Sequence, residues 1–187
     1  MLGARRWGYP ADRARLVRDL SVMDLVRVTT EYVPVEDRVR LLGESAQGAG
    51  VVLWLTQRLL SRVVPGLLAW LQEQAGPGPQ ADLVQGFAQQ AAVAALEPQA
   101  SVQVAPGSGT VLVETVTIQT GKQSVTLGFS GATPDMVWRL VLEAVPMRQW
   151  LGIVHGLYQR AEWPLELWPD WLAESDGMAA RDAPMWH

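Results

Sequence analysis

The chain has no cysteine, which removes disulfides, thiolate nucleophiles, zinc ribbons and iron–sulfur ligation together. Lysine is nearly missing too: Lys122 stands alone, and the other fourteen basic residues are arginine. Ala, Gly and Leu are abundant as well, so a GC-rich coding bias accounts for the arginines without selection for their bidentate fork. Histidine is limited to His155 and His187. His187 ends the chain, and His155 falls in an apolar helical stretch between Leu151 and Tyr158, where a packed imidazole is the ordinary reading. No serine stands in a Gly-x-Ser-x-Gly turn, so no catalytic triad is legible.

Charge is sparse. Charged residues make up 18% of the chain, the net charge is −4 and the pI is about 5.2, which argues against bulk electrostatic capture of DNA or anionic membrane. Long hydrophobic runs are lacking. Met1–Pro10 carries Arg5 and Arg6 and leads into Asp12, Arg13, Arg15, Arg18 and Asp19, not into an apolar signal core. Val51–Leu71 is interrupted by Gln57, Arg58, Arg62 and Pro65, whereas a spanning helix needs about 20 apolar residues. The expectation is a soluble, cytoplasmic protein with no membrane partner.

What is present is apolar volume. Hydrophobic residues are 49% of 187, enough for one compact domain built from two halves. Residues 1–75 read as strands followed by a helix, 76–80 as a Gly/Pro linker, 81–161 as a helix, a β-meander and a helical pair, and 162–187 as a Trp/Pro-rich tail. Within the first half, Ala11–Leu20 reads as a short helix, and strands are expected at Leu25–Val33, Asp37–Gly43 and Val51–Leu55. Thr56 is placed to cap a helix that Pro65 should bend or restart.

The second half opens with a helix at Ala81–Leu96 and a short strand at Ser101–Ala105. Thr110–Gln119, nearly pure Val, Thr, Leu and Ile, predicts one long strand, turning at Thr120-Gly121-Lys122 into Ser124–Phe129. Thr133-Pro134-Asp135 has the residues of a helix start, predicting a helix to about Val145 and a second from Pro146 to Ala161. Each half thus runs strands, helix, proline-started helix, an order that suggests internal duplication without residue-level similarity. The expected fold class is α+β: antiparallel β-meanders, two three-stranded units that can share one sheet, with helices packed on one face.

No residue set points to a cofactor or a metal. The carboxylates are scattered without ligand spacing, and Gly76-Pro77-Gly78-Pro79 and Pro106-Gly107-Ser108-Gly109 read as turns, not phosphate cradles. The unusual feature is nine tryptophans. Trp54, Trp70, Trp138 and Trp150 fall on expected elements, while Trp163, Trp168 and Trp171 crowd the tail, where they serve either as internal anchors or as partner-binding residues. Arg13, Arg15 and Arg18 form a second candidate binding set. The leading expectation is a non-enzymatic binding or assembly protein that acts through a protein–protein interface as a homodimer. One alternative is a nucleic-acid-associated protein using the N-terminal arginines. The other is a small enzyme with a carboxylate/Arg site lacking Cys and His.

Overall fold

The computed structural model describes residues 21–173 apart from Pro77, Pro79 and Pro134. The expected helix at Ala11–Leu20, together with Arg13, Arg15 and Arg18, lies outside the described residues. In chain order the elements are β1 (Ser21–Val33), β2 (Arg38–Ser45), β3 (Gly50–Leu55), α1 (Gln57–Ala75), α2 (Ala81–Ala94), β4 (Gly109–Leu112), β5 (Thr115–Thr120), β6 (Ser124–Ser130), β7 (Met136–Glu143) and α3 (Ala144–Arg160). A short helical turn follows at 170–173. No described helix is long and apolar enough to cross a membrane.

Strict alternation makes β2 and β3. Val39, Leu41, Val51, Leu53 and Leu55 are fully buried and the residues between them are not, the period-2 pattern of a sheet with one core face. β1 pairs antiparallel with β2 across the Pro34–Asp37 turn, and β2 pairs with β3. β5, β6 and β7 form a second antiparallel run. The whole sheet, however, is mixed: its order is β4-β3-β2-β1-β7-β6-β5, with β1 parallel to β7 and β3 parallel to β4. That corrects the purely antiparallel arrangement expected above.

β4 and β5 explain how the sheet is shaped. They were expected as one strand, Thr110–Gln119, but the run breaks at Val113–Glu114. The Val113 N–H donates to Trp54 O on β3 and the Glu114 N–H donates to Ser130 O on β6. A single stretch of chain therefore leaves one edge of the sheet and enters the other, so the sheet curls. Its buried face, together with α1 and α3, forms one hydrophobic core.

Three further expectations are corrected. Residues 136–143 are strand, not helix, because Trp138, Leu140 and Leu142 alternate inward against Arg139, Val141 and Glu143. Alternation over eight residues outweighs the helix-start residues in front of them. Ser101–Ala105 forms no strand; the buried Val102 gives its N–H to the Thr29 hydroxyl (2.8 Å) instead of to a neighbouring strand. Pro65 does not restart α1, which runs through it. Pro65 stands on the exposed side of α1, where the backbone bond it removes costs least. Thr56 caps that helix as its position suggested, accepting from the Leu59 N–H at 3.2 Å.

Candidate interaction surfaces

The tail tryptophans turn inward. Trp163, Trp168 and Trp171 are only 5–7% exposed and belong to the core. Trp163 stands edge-on to Tyr158 and Tyr32 at centroid distances of 5.0 and 5.6 Å, and its Nε1–H donates to Asp37 Oδ1 (3.0 Å) in the β1–β2 turn. Trp168 packs edge-on to Tyr158 and to the buried His155. Trp171 offers its ring face to Arg148 at 5.5 Å. The three indoles thus fasten residues 163–171 to the molecule's own α3 and hairpin, and they present no exposed aromatic patch. The sequence shows the indoles but carries no signal for which surface they meet.

Arg148, on α3, is the least expected of these partners. It is buried, and among the described residues no carboxylate pairs with it. Its guanidinium donates to the Gln85 side-chain oxygen and, at 3.5 Å, to the Gln85 carbonyl. Burial without a counter-charge pushes its pKa down from the usual arginine value. Gln85 in turn donates to Leu71 O (2.8 Å), Gln89 donates to Arg148 O (3.1 Å), and Gln149 donates to Ala92 O (2.9 Å). These amides and one guanidinium tie α2 to α1 and α3.

As a consequence α2 is inverted. Gln85 and Gln89 are 1% and 0% exposed, whereas Leu83, Val84 and Phe87 are 57%, 48% and 62% exposed. Leu83, Phe87, Ala91 and Ala94 fall at i, i+4, i+8 and i+11 and are all exposed, a single apolar stripe down the outer side of the helix. Asp82 is the sole charge in α2. A helix with amides inside and aliphatic and aromatic groups outside reverses the usual arrangement of a surface helix.

A second surface follows from the parallel pairing of β1 and β7. The ladder runs from Ser21 opposite Met136 to Leu25 opposite Leu140 and stops there. β1 bulges between Leu25 and Arg27, and β7 passes directly into α3 at Ala144. From Val26 to Val33, β1 is bonded to β2 on one side only, and among the described residues no strand pairs with its other side. α3 flanks that open edge, joined to it by Trp150 Nε1–H donating to the Thr30 hydroxyl (3.1 Å). Between strand and helix lie two adjoining depressions of about 530 and 420 Å³ that share Thr30 and Ile153, the larger walled also by residues 96–102, which bond to the Arg27 and Thr29 side chains. Gly152 and Gly156 are among the α3 residues that line the groove. Val26, Leu96 and Ile153 supply exposed apolar surface along it.

The outer face of the sheet is polar. Arg27 pairs with Glu44 (3.0 Å), Arg40 pairs with Glu31 (2.6 Å) while lying over the Trp54 ring, and Arg139 makes a forked pair with Asp24. The Arg139 hydrogen bonds hold the Asp24 carboxyl below its ordinary value. These are surface pairs of the kind that add little stability. Among the described residues no group of three or more His, Asp or Glu side chains is placed to hold a metal ion. No family model, curated protein or solved structure matches the chain.

Proposed function

We propose that this chain is a non-enzymatic binding or assembly protein acting through a protein–protein interface, and that it works as a homodimer joined through the outer face of α2. One observation carries the reading: α2 buries its glutamines and holds Leu83, Val84 and Phe87 in water. Fully burying side chains of this kind is worth roughly 1.5–3 kcal/mol each, so covering what remains exposed contributes on the order of 1 kcal/mol per residue on each side. The stripe is almost uncharged, so a second copy meets it without like-charge repulsion. The exposed Ala91 and Ala94 let a second helix approach closely.

Light scattering coupled to size exclusion tests this on the full chain. The expected mass is twice the 20.5 kDa of the chain, falling to the single value in Phe87→Glu with unchanged circular dichroism. A monomer for the unmodified chain at high micromolar concentration sinks the homodimer, and so does a dimer indifferent to Phe87→Glu.

A further inference from the structure

The groove between β1 and α3 differs in kind from the α2 stripe, because its wall is backbone. In an antiparallel pair, alternate residues turn their N–H and C=O groups away from the partner strand. Along Val28–Val33 those groups face the groove, and among the described residues no strand answers them. Unpaired sheet edges are normally shortened, charged or covered, since they template another chain. Here the edge lies beside a helix that lines the groove with Trp150, Ile153 and Leu157, and with Gly156 between them. An open strand edge flanked by a helix is a geometry that takes up an extended peptide as one more strand.

Charge at the two ends of the groove narrows the occupant. Glu97 lines the end near Arg27, and Arg160 lines the end near Glu31. Neither Glu97 nor Arg160 has an ion-pair partner among the described residues, whereas Arg27 and Glu31 are already paired with Glu44 and Arg40. The open edge of six residues, Val28–Val33, spans about 20 Å at roughly 3.3 Å per residue. The apolar groups in between, Ile153 and Trp150, favour aliphatic side chains on the half of an added strand that faces the helix.

We infer that the β1–α3 groove is a strand-addition site for an extended segment of a partner protein, one bearing a cationic side chain at the Glu97 end, a carboxylate at the Arg160 end and aliphatic residues between. This site is independent of the α2 interface and does not require that reading to hold.

The test uses the intact chain and a phage-displayed random-peptide library, followed by fluorescence anisotropy with synthetic, fluorescein-labelled peptides from the selection. The selected peptides are expected to carry a base and an acid about five residues apart. Methylating alternate backbone nitrogens of such a peptide should weaken it about tenfold or more. Gly156→Phe is the blocking variant: a Cβ at Gly156 meets nothing within 4 Å, and Gly156 lines the groove, so a large side chain is added at the groove wall with no core atom against its Cβ. It should keep its melting temperature and lose binding. Arg160→Glu should weaken binding too, and a peptide with its acid changed to lysine should recover it. Failure of the selection to converge overturns the proposal. So does binding that Gly156→Phe and Arg160→Glu both leave intact. A loss of oligomeric mass in Gly156→Phe without any selected peptide would give the edge to a second copy of the chain and likewise refute the partner segment.

Discussion

Removing the Trp163 side chain is the most direct check on how the C-terminal segment is held. The indole is 7% exposed, lies edge-on to two tyrosines and donates to the Asp37 carboxylate. Truncating a buried tryptophan to alanine costs about 3–5 kcal/mol from lost transfer energy and the residual cavity. For a chain of this size each kcal/mol moves the midpoint by about 2–4 °C, so Trp163→Ala should melt roughly 6–20 °C lower. Trp163→Phe separates the two contributions. It keeps an aromatic body against Tyr158 and Tyr32 and loses the Nε1–H bond with part of the indole's volume. Asp37 retains the Tyr32 hydroxyl (2.9 Å), and most of the ring packing survives, so the cost should be smaller, about 1–2 kcal/mol. Urea unfolding followed by circular dichroism at fixed protein concentration reads both, with an unchanged slope confirming a stability effect. A cost below about 1 kcal/mol for Trp163→Ala would refute the docking of this segment on α3 and the hairpin, and would return Trp163, Trp168 and Trp171 to the list of partner-facing residues.

Two glycines should respond in opposite senses to the same change. A methyl at Gly43 comes within 2.9 Å of the Leu25 side chain and 3.2 Å of Val51, both buried, so Gly43→Ala should cost about 1–3 kcal/mol in urea unfolding. Gly156→Ala, with open space ahead of it inside a helix, should instead gain about 0.5–1 kcal/mol. The Asp24 carboxyl, held low first by its hydrogen bonds from Arg139, should titrate below its ordinary range in a carboxyl NMR series and return to it in Arg139→Gln. A depressed folded-state pKa contributes stability above the unfolded value, which is lost as pH falls through the folded one, so the two proteins should differ at neutral pH and converge in strong acid. Equal Asp24 titrations in both would remove that ion pair from solution.

The sequence by itself determined much of the local structure. Alternation in residues 37–43 and 124–129 and the continuous apolar run at 51–55 specified strands, and Leu59, Leu60, Val63 and Leu67 behind a threonine cap specified α1. These signals are local, because a periodic pattern depends only on which side of one element faces the core. Where neighbouring cues disagreed the reading failed: residues 133–135 have the residues of a helix start, yet the strand that follows is chosen by its burial between β1 and β6. The break at Val113–Glu114 could not be read either, since each of its arms is good β-sequence and only the two sheet edges waiting for them separate one from the other.

Both proposed surfaces belong to what the tertiary structure alone decided. α2 was legible as a helix, but its apolar stripe would ordinarily be assigned to the core. It faces outward because Arg148, Gln85 and Gln89 complete one another's hydrogen bonds between the helices, a set contributed by α2 and α3 from 59 and 63 residues apart. The open edge of β1 exists because β7 becomes α3 after Glu143, and no pattern within β1 records where its neighbour ends. Hydrophobic periodicity tells a chain which face to hide. What lies against that face, and which backbone edge is left without a partner, is settled only when distant segments meet.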